Sequence, residues 1–190
     1  MSAIHPSRKT LMGDPGPADC QIRLLGQADL QAYKELRDAM LARHPDAFTS
    51  DAESELQRDA SSYHNRLSGG NGGANLFTLA AWSGHTLVGA VSCEHEARIK
   101  VQHLAKLEGM MVSDAWQGQG IGGRLMAQAL QMLRTESRLE QVTLSVTSSN
   151  LLAVRLYRRF GFSQYGCLPD AIRLPGGVKL AKDLMRLDLR

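Results

Sequence analysis

The chain has 190 residues, 43% of them hydrophobic and 22% charged, with a net charge of +3 at pH 7. That length suits one domain with a buried core, and the balance excludes wholesale disorder and the fibrous classes. Lys and Arg are dispersed apart from Arg155, Arg158 and Arg159, so no basic stripe argues for nucleic acid, and no apolar run reaches the roughly 18 residues of a membrane span.

The first twenty residues hold three of the six prolines and lack the apolar segment of a signal peptide. Residues 1–20 therefore read as a mobile arm, and a cytoplasmic location is the expectation. Cys20, Cys93 and Cys167 form no C-x-x-C pair, which suits a reducing compartment and buried thiols. The six histidines are scattered and H-E-x-x-H is absent, so no metal is expected.

QIRLL (21–25) reads as a first strand, and Leu30, Tyr33, Leu36, Met40 and Leu41 form the stripe of a helix over 28–43 with Asp29 as its cap. Residues 44–68 are polar with a second, weaker helical period, and GGNGGAN (69–75) reads as a loop tip. Three consecutive strands follow, over 76–83, 86–97 and 103–113, the first two joined by a short Ser83-Gly84-His85 turn.

After QGQGIGG (117–123), Ile121, Leu125, Ala129, Met132 and Leu133 lie on one face of a helix that begins inside the glycine run. QVTLSV (141–146) is a fifth strand. Asn150 then caps a short helix carrying Ala153, Val154 and Tyr157, which Gly161 stops. A strand pair over 163–174 and 178–189 closes the chain. The order gives a single α/β or α+β domain with no internal repeat.

QGQGIGG satisfies two patterns. Gly118, Gly120 and Gly123 fit the dinucleotide fingerprint G-x-G-x-x-G, whereas Gln117, Gly120 and Gly122 fit Q/R-x-x-G-x-G/A. Both let backbone N–H groups and a helix dipole meet phosphate. The dinucleotide reading also needs an acidic residue at the end of the next strand, and QVTLSV ends in Thr147, Ser148 and Ser149 instead. No Gly-Lys-Ser/Thr follows, so a Walker loop fails too.

VSDAWQGQGIGGRLM (112–126) resembles the acetyl-CoA pyrophosphate loop of the GNAT superfamily of N-acetyltransferases. NLLAVRLYRRFGF (150–162) is similar to that family's N-x-x-A-x-x-x-Y-x-x-x-G-F segment, with Asn150, Ala153, Tyr157, Gly161 and Phe162 in register. The resemblance covers residues 21–190. It implies an N-acetyltransferase domain built on a mixed, mostly antiparallel sheet of six to seven strands, splayed between the fourth and fifth and flanked by about four helices.

The same resemblance implies acetyl-CoA as co-substrate and a primary amine of a small molecule, peptide or protein as acceptor. It assigns acetyl-CoA contacts to Met110, Met111 and Val112 on the fourth strand, to Gln117, Gly118, Gln119, Gly120, Ile121 and Gly122 in the loop, and to Asn150, Ala153 and Tyr157. Gly109 marks either a β-bulge that opens the gap or close packing. Gly123 is left for helix packing beneath the loop.

For the chemistry, the resemblance makes Tyr157 the candidate acid that serves the leaving thiolate, its alternative being a half-buried helix tyrosine. Glu108 is the first candidate base, acting through ordered water, with His103 and Glu94 as alternatives. A glutamate carried on the fifth strand by some branches falls at Ser145 here, a departure that weighs against the ribosomal-protein acetylating branch. With Gln117 where arginine is commoner, charge for the pyrophosphate falls to Arg124, Arg155 or Arg158, two of which read as solvated helix faces. A catalytically weak acyl-CoA sensor is the alternative function. The acceptor pocket belongs to residues 44–75 and the last strand pair. Family members commonly form homodimers through sheet edges, though the chain carries no interface signal of its own.

Overall fold

The computed structural model describes residues 20–68, 77–95 and 98–190. Most of the expected N-terminal arm and the 69–75 loop tip therefore lie outside the described residues. Seven strands form one sheet: β1 (Cys20–Leu24), β2 (Phe77–Ser83), β3 (Thr86–His95), β4 (Leu104–Val112), β5 (Gln141–Thr147), β6 (Ser163–Arg173) and β7 (Lys179–Asp188). Around it lie α1 (Leu30–Arg43), the short α2 (Ala52–Leu56), α3 (Ile121–Thr135) and α4 (Leu151–Arg159).

The sheet order is β1-β2-β3-β4-β5-β7-β6, and β4–β5 alone among these neighbours runs parallel. A parallel neighbour cannot be reached by a tight turn, so α3 carries the chain from the end of β4 back to the start of β5. The strands and helices read from periodicity are present, and the mixed, mostly antiparallel sheet is the expected one.

Alternation along the central strands divides the core in two. Leu79 and Ala81 of β2 join Val88, Val91 and Cys93 of β3 under α3 and α4, while Ala80, Trp82, Leu87 and Ala90 face α1. A strand buried on both faces reads as an unbroken apolar run, which is how β2 and β3 read. The α1 stripe is wholly buried, and α3 buries Ile121, Leu125, Met126, Ala129, Leu130 and Leu133.

Small residues let α3 come close. A Cβ built on Gly89 would lie 3.1 Å from the Met111 carbonyl oxygen and 3.2 Å from Leu125 Cδ1, with Ile121 Cγ2 at 3.4 Å. The first turn of α3 is thus seated on the end of the β3–β4 pair, which fixes where its N-terminus points.

Two local expectations are corrected. Asp29 does not cap α1 with its side chain; its carboxylate instead accepts from the Gly26 backbone N–H at 2.8 Å and from Arg23. The Arg23 guanidinium and the Gly26 backbone N–H, six and three residues earlier in the chain, outcompete the helix N–H groups for it. Cys20 and Cys93 are buried as expected, but Cys167 is exposed, because β6 is an edge strand with most of its residues in solvent. Among the described residues no helix is long and apolar enough to cross a membrane, and no cluster of His, Cys, Asp and Glu has metal-site geometry.

Candidate active site

The sheet opens where a ligand strand would enter. β4 and β5 pair only at Leu104–Gln141, Ala105–Val142 and Lys106–Thr143, after which no ladder joins them. On its other side β4 gains one residue over β3, since Ala90 faces Met111 while Ser92 faces Glu108. Gly109 sits in that bulge at φ +61°, a left-handed conformation that costs an L side chain about 1–2 kcal/mol. The bulge bends β4 away from β5 and leaves the Met110–Val112 backbone edge without a strand partner on the β5 side. The Met111 side chain is buried against α1, so that residue offers the gap only its backbone.

At the mouth of the gap the chain makes a tight turn, Asp114–Trp116, and then the glycine loop. Gly118 and Gly120 have φ of +77° and +82°, and a Cβ on either would meet open space. Glycine is required there by backbone angle, not by crowding. A Cβ on Gly122 would make ordinary contacts with Leu156 and Val112 at 3.5 and 3.7 Å, which places this end of the loop against α4 and β4. The first intrahelical bond of α3 runs from Arg124 N–H to the Gly120 carbonyl at 3.0 Å, so the N–H groups of Ile121, Gly122 and Gly123 point along the helix axis toward the mouth. This is an anion cradle of dipoles.

Gln117 braces the cradle. Its amide donates to the Val112 carbonyl at 3.2 Å and to Asp114 Oδ1 at 3.0 Å, and Asp114 also bonds His44 and Arg43 from the end of α1. Of the cations proposed for the loop, Arg124 turns away and donates to the Cys20 carbonyl at 2.5 Å. Arg159 lies nearer the loop: a Cβ on Gly123 would fall 2.6 Å from its Nη2, so the missing side chain of Gly123 makes room for a guanidinium over the first turn of α3. Periodicity alone did not single out Arg159; the pairing of a bare glycine with an arginine cluster was the available signal.

The α4 motif is explained by its own backbone. Asn150 Oδ1 accepts from Ala153 N–H at 3.1 Å and caps the helix. Gly161, at φ +92°, turns the chain back so that Phe162 N–H reaches the Tyr157 carbonyl at 3.1 Å, and the Phe162 ring packs edge-on to Tyr157 with centroids 6.0 Å apart. The Y-x-x-x-G-F spacing thus clamps Tyr157. Burial pushes its phenol up to about 12, which keeps it protonated.

Tyr157, Asn150 and Ala153 meet Glu108, Met110 and Ser145 around a cavity of about 110 Å³ that lies in the strand gap. It shares Phe48, Glu108, Gly109 and Ser145 with an adjoining cavity of about 180 Å³ that reaches Arg66, Lys106 and Lys182. A larger hollow on the far side, between β1 and the outer face of α3, contains neither motif.

Glu108 is not isolated. Arg66 Nη1 lies 2.6 Å from it and Lys106 Nζ 3.1 Å. Burial alone would raise its pKa, but Arg66 above all, with a hydrogen bond from Glu94 and Lys106 behind, holds it down at about 2. Glu94 moves the other way, pushed up by burial and by the adjoining Glu108 carboxylate. His103, the other alternative, stands just before β4.

Several solved acetyltransferases share this fold. The chain superposes on an acetyltransferase from Streptococcus pneumoniae with a TM-score of 0.76 at 20% identity, over 89% of this chain and 99% of that one. A putative acetyltransferase from Salmonella typhimurium, solved with acetyl-CoA, gives 0.72 at 20% identity over 90% and 94%. The ribosomal-protein-S18-alanine N-acetyltransferase of Escherichia coli gives 0.66 at 18% over 90% and 94%.

Residues 33–162 match the acetyltransferase (GNAT) family model, and the chain belongs to that family. Among curated relatives, a spermine/spermidine N(1)-acetyltransferase of Bacillus subtilis is 32% identical over 60 residues, which are 32% of this chain and 40% of that protein. An L-amino acid N-acetyltransferase of Escherichia coli is 26% identical over 80 residues, 42% of this chain and 49% of that protein. The chain thus matches less than half the length of either.

Proposed function

We propose that the protein is an acetyl-CoA-dependent N-acetyltransferase acting on a primary amine. The observation that carries this reading is the strand gap after Lys106 and Thr143, which has the glycine cradle at one end and Tyr157 inside it. Acetyl-CoA supplies a thioester carbonyl; transfer forms one C–N bond, breaks the C–S bond, returns a proton to sulfur and releases one to solvent.

The residues divide that work. The free edge of Met110, Met111 and Val112 pairs with pantetheine amides as a neighbouring strand would. Gln117 through Gly122 hold the pyrophosphate with backbone N–H groups and the α3 dipole, and Arg159 adds formal charge beside them. Asn150 and Ala153 border the gap on α4. Tyr157 donates a hydrogen bond to the departing sulfur. With its phenol near 12 against a thiol reference of about 8.5, that bond stabilises the thiolate more than it delivers a complete proton.

Glu108 holds the incoming ammonium. A carboxylate kept near 2 by Arg66 is a weak base in itself, so Glu108 orients the ammonium and its proton leaves through ordered water to solvent. The relatives include acetyltransferases of polyamines and of amino acids, and either acceptor class supplies a primary amine.

Purified protein should gain thermal stability with acetyl-CoA and release free thiol when an amine from a broad panel is added. Failure of both would end the reading. Tight binding without thiol release from any amine would leave an acyl-CoA-binding module.

A further inference from the structure

The cavity beyond Glu108 has more cationic than anionic lining. Arg37, Arg66, Lys106 and Lys182 face it with Glu108 as the one carboxylate. Most of these cations are already answered. Arg37 is bound to Glu55 and to the Ser50 hydroxyl at 2.8 Å, which holds the 47–50 segment over the cavity. Arg66 and Lys106 share Glu108, with Glu94 a more distant partner of Arg66 at 3.9 Å.

Lys182 is the exception. Its ammonium donates to the Thr49 hydroxyl at 2.5 Å, and among the described residues it makes no ion pair with a carboxylate. The half-buried Lys182 lies close enough to Lys106 for their charges to repel, and burial, followed by that repulsion, presses its pKa below the ordinary lysine value. A bound anion would relieve both, and it would find the ammonium already oriented by Thr49.

Resting on the acetyltransferase reading, we propose that the acceptor is a primary amine that also carries a carboxylate, with Lys182 as the residue that binds the carboxylate and Lys106 adding to its field. The amine is then directed to Glu108 and the strand gap, and the carboxylate to the β7 side of the same cavity. A volume of about 180 Å³ is below the roughly 300–1,000 Å³ of pockets for drug-sized ligands, which favours an acceptor of amino-acid size. A polyamine would bring further positive charge against Lys106 and Lys182 with one shared carboxylate to meet it.

The test compares matched acceptors, an α-amino acid, its decarboxylated amine and spermidine, in the thiol-release assay with the full chain. The amino acid should have kcat/KM at least about tenfold above its decarboxylated partner, with spermidine poorest. Lys182→Met should collapse that ratio through KM for the amino acid, Lys182→Arg should retain most of it, and Lys182→Glu should invert it toward spermidine. Circular dichroism of each variant separates this from misfolding, and the Arg variant keeps the test alive if Met or Glu unfolds. Turnover with the decarboxylated amine or spermidine preferred overturns the proposal and leaves the acetyltransferase reading intact. If no amine turns over, that reading falls and the acceptor role with it, and calorimetric binding of the amino acid then decides the carboxylate site alone: binding that Lys182→Met abolishes supports the site, and no binding or binding indifferent to Lys182 overturns it.

Discussion

The proposed donor half and the proposed acceptor half of the site are built in different ways. The donor half comprises β4 after its bulge, the loop before α3, and α4, and its contacts are largely backbone: strand edges, orphan N–H groups and a helix dipole. The acceptor half is made of side chains brought from α1, the 47–66 segment, β4 and β7, held by the pairs Arg37–Glu55, Arg66–Glu108 and Lys182–Thr49. Backbone recognition demands particular φ angles and hence glycines at fixed spacing. Side-chain recognition demands only charge at a point in space, which many sequences can supply.

Variants should separate the halves. Tyr157→Phe is expected to have the largest effect, lowering kcat on the order of 100-fold with KM for acetyl-CoA little moved, because a donor to sulfur acts in the transition state. Steady-state kinetics with the best amine will check it, and an equal fall in acetyl-CoA affinity would reassign Tyr157 to packing.

Glu108→Gln should reduce kcat/KM for the acceptor by about tenfold or more while thermal stabilisation by acetyl-CoA persists. The same variant reports on acid stability. Because the folded-state pKa of Glu108 is held at about 2, below its ordinary 4.5, its contribution is complete above 4.5 and is lost as pH falls toward 2. Glu94, shifted upward, acts in the opposite sense and offsets part of it. Urea midpoints of wild type should therefore fall more steeply than those of Glu108→Gln between pH 4.5 and pH 2.

Gly123→Ala should weaken acetyl-CoA binding only a few-fold, since the added methyl displaces the flexible end of Arg159 and leaves the backbone intact. A loss as large as that of a substitution at Gly120 would mean the loop itself had moved. Tyr33→Phe should be smallest of all. The Tyr33 hydroxyl is wholly buried near the Gly109 bulge and makes no hydrogen bond among the described residues, so removing it is expected to change stability by less than about 1 kcal/mol, and in the stabilising direction. A clear loss in chemical denaturation would reveal a bridging water.

Much of the donor half was legible beforehand. Gln117, Gly118, Gly120 and Gly122 stand in the loop, and Asn150, Ala153 and Tyr157 on α4, because short-range spacing sets both helix starts and both caps. Arg159 escaped notice among three arginines, since only packing against Gly123 distinguishes it from Arg155 and Arg158. The sequence carries no sign of what Arg124 binds, because its partner, the Cys20 carbonyl, is more than a hundred residues away.

By itself the sequence determined the strand and helix order and the glycine cradle, which follow from periodicity, capping and φ angles within a few residues, while it left Gly109 open between a bulge and close packing. It also offered the 44–75 segment and the last strand pair for the acceptor pocket, whereas the cavity proposed for it is lined as well by Arg37 of α1 and by Lys106 and Glu108 of β4. Only the tertiary structure decided that Arg66 holds Glu108 as a carboxylate, that Glu94 shares its site, and that Thr49 and Lys182 meet across the cavity. Those are long-range charge placements, and a linear chain carries no local signal for them because the attraction depends on distance in space alone.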